Sequence, residues 1–412
     1  MIVLTMLLSM GLTLFLVSRK INMGLSLAIG AVLLALLNGK DFHYLVQLIF
    51  RTFSEYATLT LALTIAFITI LGHLMEKYLL LDRMIEILER MLGSAKATIL
   101  LAPAIIGTLL VTGGALMSCP VVGSLGKRLE LPGDKMASIN LIFRHALYFV
   151  FPLSTTILLA TQLGGFSVWD FIKLQFPMAV VMYVAGYLLY LKGSPEPKIE
   201  AMAWRDYFKS VLLFFYYSSP ILVSLLGVVA FQLSFHVSLV FGILLSIGIH
   251  LLDERTNPKY HVEESLWLTL YKGIKPSMVV VILGIMIFKN VVNDLDGIYT
   301  YLNSLLAKGI PVELIIFIAC AAISFPLGST QPGIAILFPM ILPLAPDAHT
   351  KLLYAMFVYT TSFMFYYISP IHLCQVLTLE FFEVKMKDLY KNYTYILPAT
   401  YGTMILVYFL AR

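Results

Sequence analysis

Charge is scarce in this chain of 412 residues. Asp, Glu, Lys and Arg together make up 12%, while 60% of residues are hydrophobic. Soluble domains carry roughly twice that charge, and a soluble fold could not cover so much apolar surface. Cysteine is scarce too. Cys119, Cys320 and Cys374 each lie in an apolar segment, and neither a disulfide framework nor a paired-cysteine metal motif is present. Alternating polar and apolar strands are missing, which argues against a transmembrane barrel. No positive charge precedes the apolar stretch Met1 to Phe15, Arg19 and Lys20 follow it, and no small-residue cleavage site is evident. That polarity is wrong for a cleaved signal peptide, so the stretch is expected to be a retained first span. No nucleotide-binding glycine loop is present, so ATP is not the expected energy source. The net charge of +5 is modest and points to membrane topology, not nucleic-acid binding.

What the chain has instead is a recurrence of apolar runs long enough to cross a bilayer, interrupted at matching places. In the first half the interruptions are Thr112-Gly113-Gly114 and the segment from Phe151 through Pro152, Ser154, Thr155 and Thr156. In the second half they are Ser329-Thr330-Gln331-Pro332-Gly333 and Ser369-Pro370-Ile371-His372. A single shift of 218 residues (370 − 152) brings Thr112 onto Thr330, Pro152 onto Pro370, Asp170 onto Asp388 and Lys173 onto Lys391. Helix interruptions at corresponding points of two halves are the sequence mark of a transporter's midplane site.

The expected fold is an all-α polytopic membrane protein with ten transmembrane helices and two re-entrant hairpins in two inverted repeats. The first repeat covers 1–192, with spans near 2–18, 23–38, 57–76, 136–163 and 172–191 and a cytoplasmic-side hairpin over about 97–126. A cytoplasmic linker follows over 193–209. The second repeat covers 210–412, with spans near 211–230, 235–252, 276–292, 353–379 and 394–410 and an external-side hairpin over about 310–343. The stretches 97–111 and 115–126 are short for full crossings, and short apolar pieces are more often re-entrant. Five crossings per half is odd, so the second half runs inverted. With this topology twenty of the 28 Lys and Arg residues fall on one face and seven on the other, and Arg144 lies within the membrane. The positive-inside rule makes the richer face cytoplasmic and places both termini outside, in a multi-pass cell (inner) membrane protein. Amphipathic stretches from Leu79 to Leu92 and from Leu295 to Leu306 precede the two hairpins and are expected to lie in the interface plane, either as plain connectors or as arms linking a mobile core to a static scaffold.

The interruptions carry the chemistry. Backbone that leaves helical geometry at membrane depth must be received by protein or by a watery cavity. Half-helix N-termini present free N–H donors and partial positive charge, which suit an anion. Freed carbonyls suit Na⁺, so the hairpin tips are also the expected place for that ion. The candidate solute- or ion-binding set is therefore Thr112, Gly113, Gly114, Pro152, Ser154, Thr155, Thr156, Ser329, Thr330, Gln331, Gly333, Ser369, Pro370 and His372. Hydroxyls beside the prolines serve either solute or the freed backbone. His372, at the position equivalent to Ser154, binds an anion, accepts a proton or is simply bonded within the bundle. Arg144 and His145 lie about two helical turns before Pro152. Arg144 either pairs with a substrate carboxylate or snorkels to the cytoplasm. No catalytic set is assigned: His73, Glu76, His145 and His372 are scattered, without metal-ligand spacing. The expected function is secondary transport of a small anion coupled to Na⁺ or H⁺, with no cofactor; an intramembrane enzyme and a channel are the alternatives.

This order of elements resembles the ion transporter superfamily, whose members include divalent-anion/sodium symporters, gluconate permeases and arsenite carriers. Within it the chain looks most like an uncharacterised integral-membrane branch, the domain-of-unknown-function family numbered 401. The resemblance implies that tips and broken helices meet around substrate, and that the protein is a homodimer moving by an elevator motion. The Ser-Asn-Thr signature of the dicarboxylate symporters is absent at both tips.

Overall fold

The computed structural model describes residues 2–107, 114–196, 203–256, 262 and 264–412. Among these the secondary structure is helical, and the helices form two series in the same order. The first comprises α1 (Ile2–Ser18), α2 (Met23–Leu37), α3 (Phe42–Ser54), α4 (Tyr56–Lys77), α5 (Leu80–Leu92), α6 (Ala95–Gly107), α7 (Gly114–Arg128), α8 (Gly133–Ala146), α9 (Thr155–Gly164) and α10 (Val168–Gly186), the last prolonged by a π-helical turn over Tyr187–Leu191. The second comprises α11 (Trp204–Phe231), α12 (Phe235–Thr256), α13 (Leu266–Gly273), α14 (Pro276–Asn293), α15 (Asp296–Ala307), α16 (Val312–Leu327), α17 (Gln331–Ile341), α18 (Ala348–Tyr367), α19 (Leu373–Phe382) and α20 (Met386–Ala411). Helices α9 and α19 are both 10 residues long, and they start 218 positions apart (373 − 155).

Six of these segments are long and apolar enough to cross a membrane: Tyr56–Lys77, Val168–Leu191, Trp204–Phe231, Phe235–Thr256, Leu266–Asn293 and Met386–Ala411. Their outer faces are apolar where they are exposed, with Phe215, Leu226 and Phe231 on α11 and Leu406, Phe409 and Leu410 on α20. A patch of that extent on an aqueous surface would drive aggregation, and lipid is its natural solvent. Shorter apolar helices include Leu4–Ser18, Met23–Leu37 and Val312–Leu327; of these, Met23–Leu37 packs on α14, and Val312–Leu327 on α18.

Packing repeats along with order. Helix α2 crosses α14, and α12 crosses α4; α1 lies on α2 and α15, and α11 on α12 and α5; α6 lies on α8, and α16 on α18. Each pair has a counterpart with the halves exchanged. The α2–α14 crossing is tight because glycine permits it: a Cβ on Gly24 would stand 2.0 Å from the Val280 carbonyl oxygen, and one on Gly284 only 1.9 Å from that of Gly24. Small residues let membrane helices approach to backbone contact in this way.

The spans near 136–163 and 353–379 are interrupted at their prolines: helix stops at Phe149 and resumes at Thr155, and stops at Tyr367 and resumes at Leu373. Two features differ from the sequence-based expectation. Two short helices, α3 and α13, stand ahead of α4 and α14; α3 packs on α14 and α13 on α4, so each gains its partner from the other half. Helix α11 begins at Trp204, inside the expected linker, because Arg205, Asp206 and Lys209 are on its exposed first turns.

Charges segregate. Arg83 pairs with Asp253, Lys77 and Lys272 with Glu264, and Arg128 with Glu89. Arg51 pairs with Asp294, Lys289 with Glu55, and Arg412 with Glu313. The two ammonium groups beside Glu264, at 2.6 and 3.1 Å, hold its carboxyl below the usual range.

Candidate functional site

Each of the two breaks resumes as a helix whose N-terminus carries no side-chain cap. Ser154 is the N-cap of α9 and His372 the N-cap of α19, and neither side chain caps its helix. The first-turn amides of both helices therefore remain donors, at the positive ends of two helix dipoles. Thr330 at the start of α17 likewise makes no cap bond, and its buried hydroxyl has no partner among the described residues.

The second hairpin, α16–α17, touches both breaks. Gln331 Nε2 donates to Thr155 Oγ1 at 3.2 Å, joining this tip to the first break. On the other side Gly328, at φ +54°, abuts the second break: a Cβ there would stand 2.9 Å from Ile371 Cγ1 and 3.2 Å from the His372 backbone nitrogen. Helix α17 packs along α9, and α7 of the first hairpin packs along α19. Each hairpin arm thus lies on the broken helix of the opposite half.

Thr112 and Gly113 lie outside the described residues; Gly114 opens α7. Pro152, Thr155 and Thr156 are buried, Ser154 is half-buried, and Thr156 donates to the Tyr148 hydroxyl at 3.0 Å. Ser329 and Gln331 are half-buried, Thr330 and Ser369 fully buried. Pro370 sits apart from the others. It is exposed and lines an apolar groove with Phe317, Phe365 and Tyr401, between α16, α18 and α20. Gly333 faces inward on its own half, where a Cβ would meet Ser362 Oγ at 2.4 Å and Ser324 Oγ at 2.5 Å. Its smallness serves the packing of α17 on α16 and α18.

His372 is buried with side chains that are distant in sequence. Its Nε2 lies 2.6 Å from the Tyr366 hydroxyl, which lies 3.1 Å from His145 Nε2. His145 Nδ1 lies 2.7 Å from the Leu141 carbonyl oxygen. The two imidazoles meet edge to face with centroids 5.0 Å apart. Cys374 is the second residue of α19, and its ligand atom and those of both histidines lie within 4.8 Å of one another. An N₂S donor set of this kind suits a borderline-soft cation. The Tyr366 hydroxyl, however, occupies the space between the two Nε2 atoms, so the cluster reads as a hydrogen-bonded chain and not as an open coordination site. Arg144 stands beside it, packed against Gly107 at the end of α6. Below this layer Asn140 Nδ2 donates to Thr378 Oγ1 at 2.9 Å, tying α8 to α19.

Tyr366 and Tyr148 are the site residues that interruption-hunting misses. The signal was available: the 218-residue shift brings one onto the other (366 − 148), and their rings stack at 6.3 Å.

Comparison with known proteins adds a family and a fold. The family described as "Protein of unknown function (DUF401)" matches residues 1–411, and the chain belongs to that family. No curated protein matches. Among solved structures the chain is similar to the YdaH transporter of Alcanivorax borkumensis, with a TM-score of 0.58 over 89% of this chain and 88% of that one, at 14% identity. At that identity the likeness is one of fold.

Proposed function

We propose that this DUF401-family protein is a secondary active transporter of a small anionic solute, coupled to Na⁺ or H⁺, working by alternating access around the two breaks and hairpin tips. One observation carries the reading: the α16–α17 tip bridges two broken helices whose N-termini are uncapped, through Gln331 to Thr155 on one side and Gly328 to His372 on the other. Open helix N-termini at membrane depth are costly unless something negative visits them. The fold shared with a transporter supports the same reading. The accompanying topology has ten crossings, two re-entrant hairpins, inverted halves, both termini outside and the Glu264 cluster cytoplasmic. It belongs to the ion transporter superfamily plan, with a homodimer as the assembly. A cavity of about 250 Å³ between α4 and α9, lined by Thr60, Thr64, Thr161, Gln162 and His236, would be an entrance from the external side.

The test has two parts. Purified protein is melted against a panel of organic and inorganic anions with and without Na⁺, and those that raise the melting temperature are followed into proteoliposomes. Saturable uptake supports a carrier; flux rising without saturation makes the protein a channel. Cysteines placed near Lys127 and Asp206 should label from one side and one near Asp347 only from the other; labelling of 127 and 347 from the same side would sink the inverted arrangement.

A further inference from the structure

We propose that the groove between α1, α15, α16 and α17 binds a membrane phospholipid, with one acyl chain in the groove and the phosphate at Lys308. The site requires that the chain sits in a bilayer and is independent of what the protein carries.

The groove has a volume of about 530 Å³, and every side chain lining it except Tyr301 is hydrocarbon or thioether. One wall runs from Ile2 through Met6 to Met10 on α1, the other from Leu314 through Ile318 to Ala322 on α16. Each covers eight residues (10 − 2 and 322 − 314), about 12 Å at the helical rise. One leaflet of the hydrocarbon core is about 15 Å deep, so the groove has the length of a single leaflet's chain and not of a full crossing. Both walls begin at the α15 end. Gly297 lies against Ile2, where a Cβ would stand 3.3 Å from Cγ1, and only 308–311 separate α15 from α16. Leu7, Leu314 and Ile318 are exposed along the rim, so the groove opens sideways to lipid.

The charge at that end selects the headgroup. Lys308 is the C-cap of α15, exposed, and set between two lining residues, Leu305 and Ile310. No ion pair among the described residues includes it. Tyr301, also exposed, puts an amphipathic ring at the same rim, as aromatic side chains do at headgroup level. A cation and a phenol beside an apolar slot match a phosphate diester above its acyl chain. A free small anion gains nothing from the slot, and a purely apolar molecule gains nothing from Lys308.

In the first half, side chains fill the equivalent place. There α5 packs on both α11 and α6, and Ile85, Ala102 and Ile106 close together against Val121. Arg83, the counterpart of Tyr301 (301 − 83 = 218), pairs with Asp253 and lies over the Tyr217 ring. In the second half α15 packs on α1 and leaves the groove between itself and α16. An acyl chain seated there touches α16 and, through Leu337 and Met340, α17. These are the two arms of the hairpin whose tip meets both breaks. The bilayer thus supplies packing that the first half supplies for itself.

Photolabelling of the full chain in vesicles tests the site. The probe is phosphatidylglycerol with a diazirine midway along one acyl chain, diluted into phosphatidylethanolamine. Peptide mapping should find the label on α1 around Met6 and Met10 and on α16 from Leu314 to Ala322, well above the exposed faces of α11 and α20. Label spread evenly over all lipid-facing helices would overturn the site. Unlabelled phosphatidylglycerol should compete about fivefold better than unlabelled phosphatidylethanolamine, the scale of one basic residue near an anionic headgroup. Lys308→Gln should remove that preference; equal competition in wild type, or a preference that survives the substitution, would overturn the headgroup's place. Ala322→Phe, with its ring laid into the groove from the rim, should abolish the groove label while α11 and α20 keep theirs. Ala319→Phe repeats the test one turn nearer the α15 end, should the first variant fail to melt cooperatively. Groove label undiminished in a folded filler variant overturns the acyl-chain placement. None of these readings needs uptake, so a protein that carries no anion refutes the transport reading and leaves the lipid site standing.

Discussion

The two breaks share a backbone and differ in chemistry. At equivalent positions the first offers Tyr148, Ser154 and Thr156, and the second Tyr366, His372 and Cys374. In the first, the tyrosine hydroxyl accepts from Thr156, and Gln331 reaches over to Thr155, so the polar groups are neutral hydroxyls and an amide. In the second, the tyrosine hydroxyl lies between two imidazoles. The lesson is a division of labour. The two breaks supply two open helix ends, and their side chains make one a neutral cradle and the other an ionisable one. His145 sharpens the asymmetry, because its counterpart under the same shift is Phe363 (363 − 145 = 218).

The largest expected effect comes from exchanging the breaks. The double variant Ser154→His, His372→Ser keeps the composition but moves the imidazole to the side that faces Phe363. If the coupling ion is H⁺, pH-driven uptake should fall on the order of a hundredfold, as for loss of a proton-transfer group. Retained uptake with an unchanged pH profile would mean that the breaks are interchangeable.

Next is Gly333→Leu at the tip between them. Its side chain would press on Ser324 and Ser362 of the same half, so the expected result is a less stable protein, by about 1–3 kcal/mol, and not a blocked solute path in a sound one. A detergent melt reads this directly; an unshifted melting temperature with abolished uptake would put Gly333 against solute instead.

A smaller effect is expected from Thr155→Val, which removes the acceptor for Gln331 and should cost about 1 kcal/mol. The apparent KM for the anion should rise several-fold if the tip must dock on the first break; an unaltered KM and melting point would leave that contact without a role.

The smallest concerns the entrances to α10 and α20, where the halves are most alike. Lys173 lies 3.4 Å from Asp170 and Lys391 3.3 Å from Asp388, both pairs on exposed first turns. Asp170→Asn and Asp388→Asn should each shift stability by less than about 1 kcal/mol, and by similar amounts. A large difference between them would show that the two ends sit in unlike environments.

Much of this layout was legible in residue order. Proline, glycine and clustered hydroxyls act on their own backbone, so the breaks at 150–154 and 368–372 announce themselves locally. Short amphipathic helices did not. Nothing in Phe42–Ser54 or Leu266–Gly273 signals that α14 and α4 will cover them, because the covering surface comes from the other half. The placement of Pro370 was illegible for a similar reason: proline explains the break but not which side of the chain faces the groove lined by Phe317 and Tyr401.

The sequence by itself determined the solvent of this protein, lipid, since 12% charge cannot wet its apolar surface, and it determined the register of 218 residues that repeats the breaks. Only the tertiary structure decided that α17 lies on α9 and α7 on α19, and that His145 meets Tyr366 across 221 residues. The physical reason is range. Hydropathy and proline sterics act within a few residues of their source, whereas those meetings depend on how closely whole helices cross. That closeness is set by backbone contacts such as Gly24 on Gly284, whose partner no local pattern names.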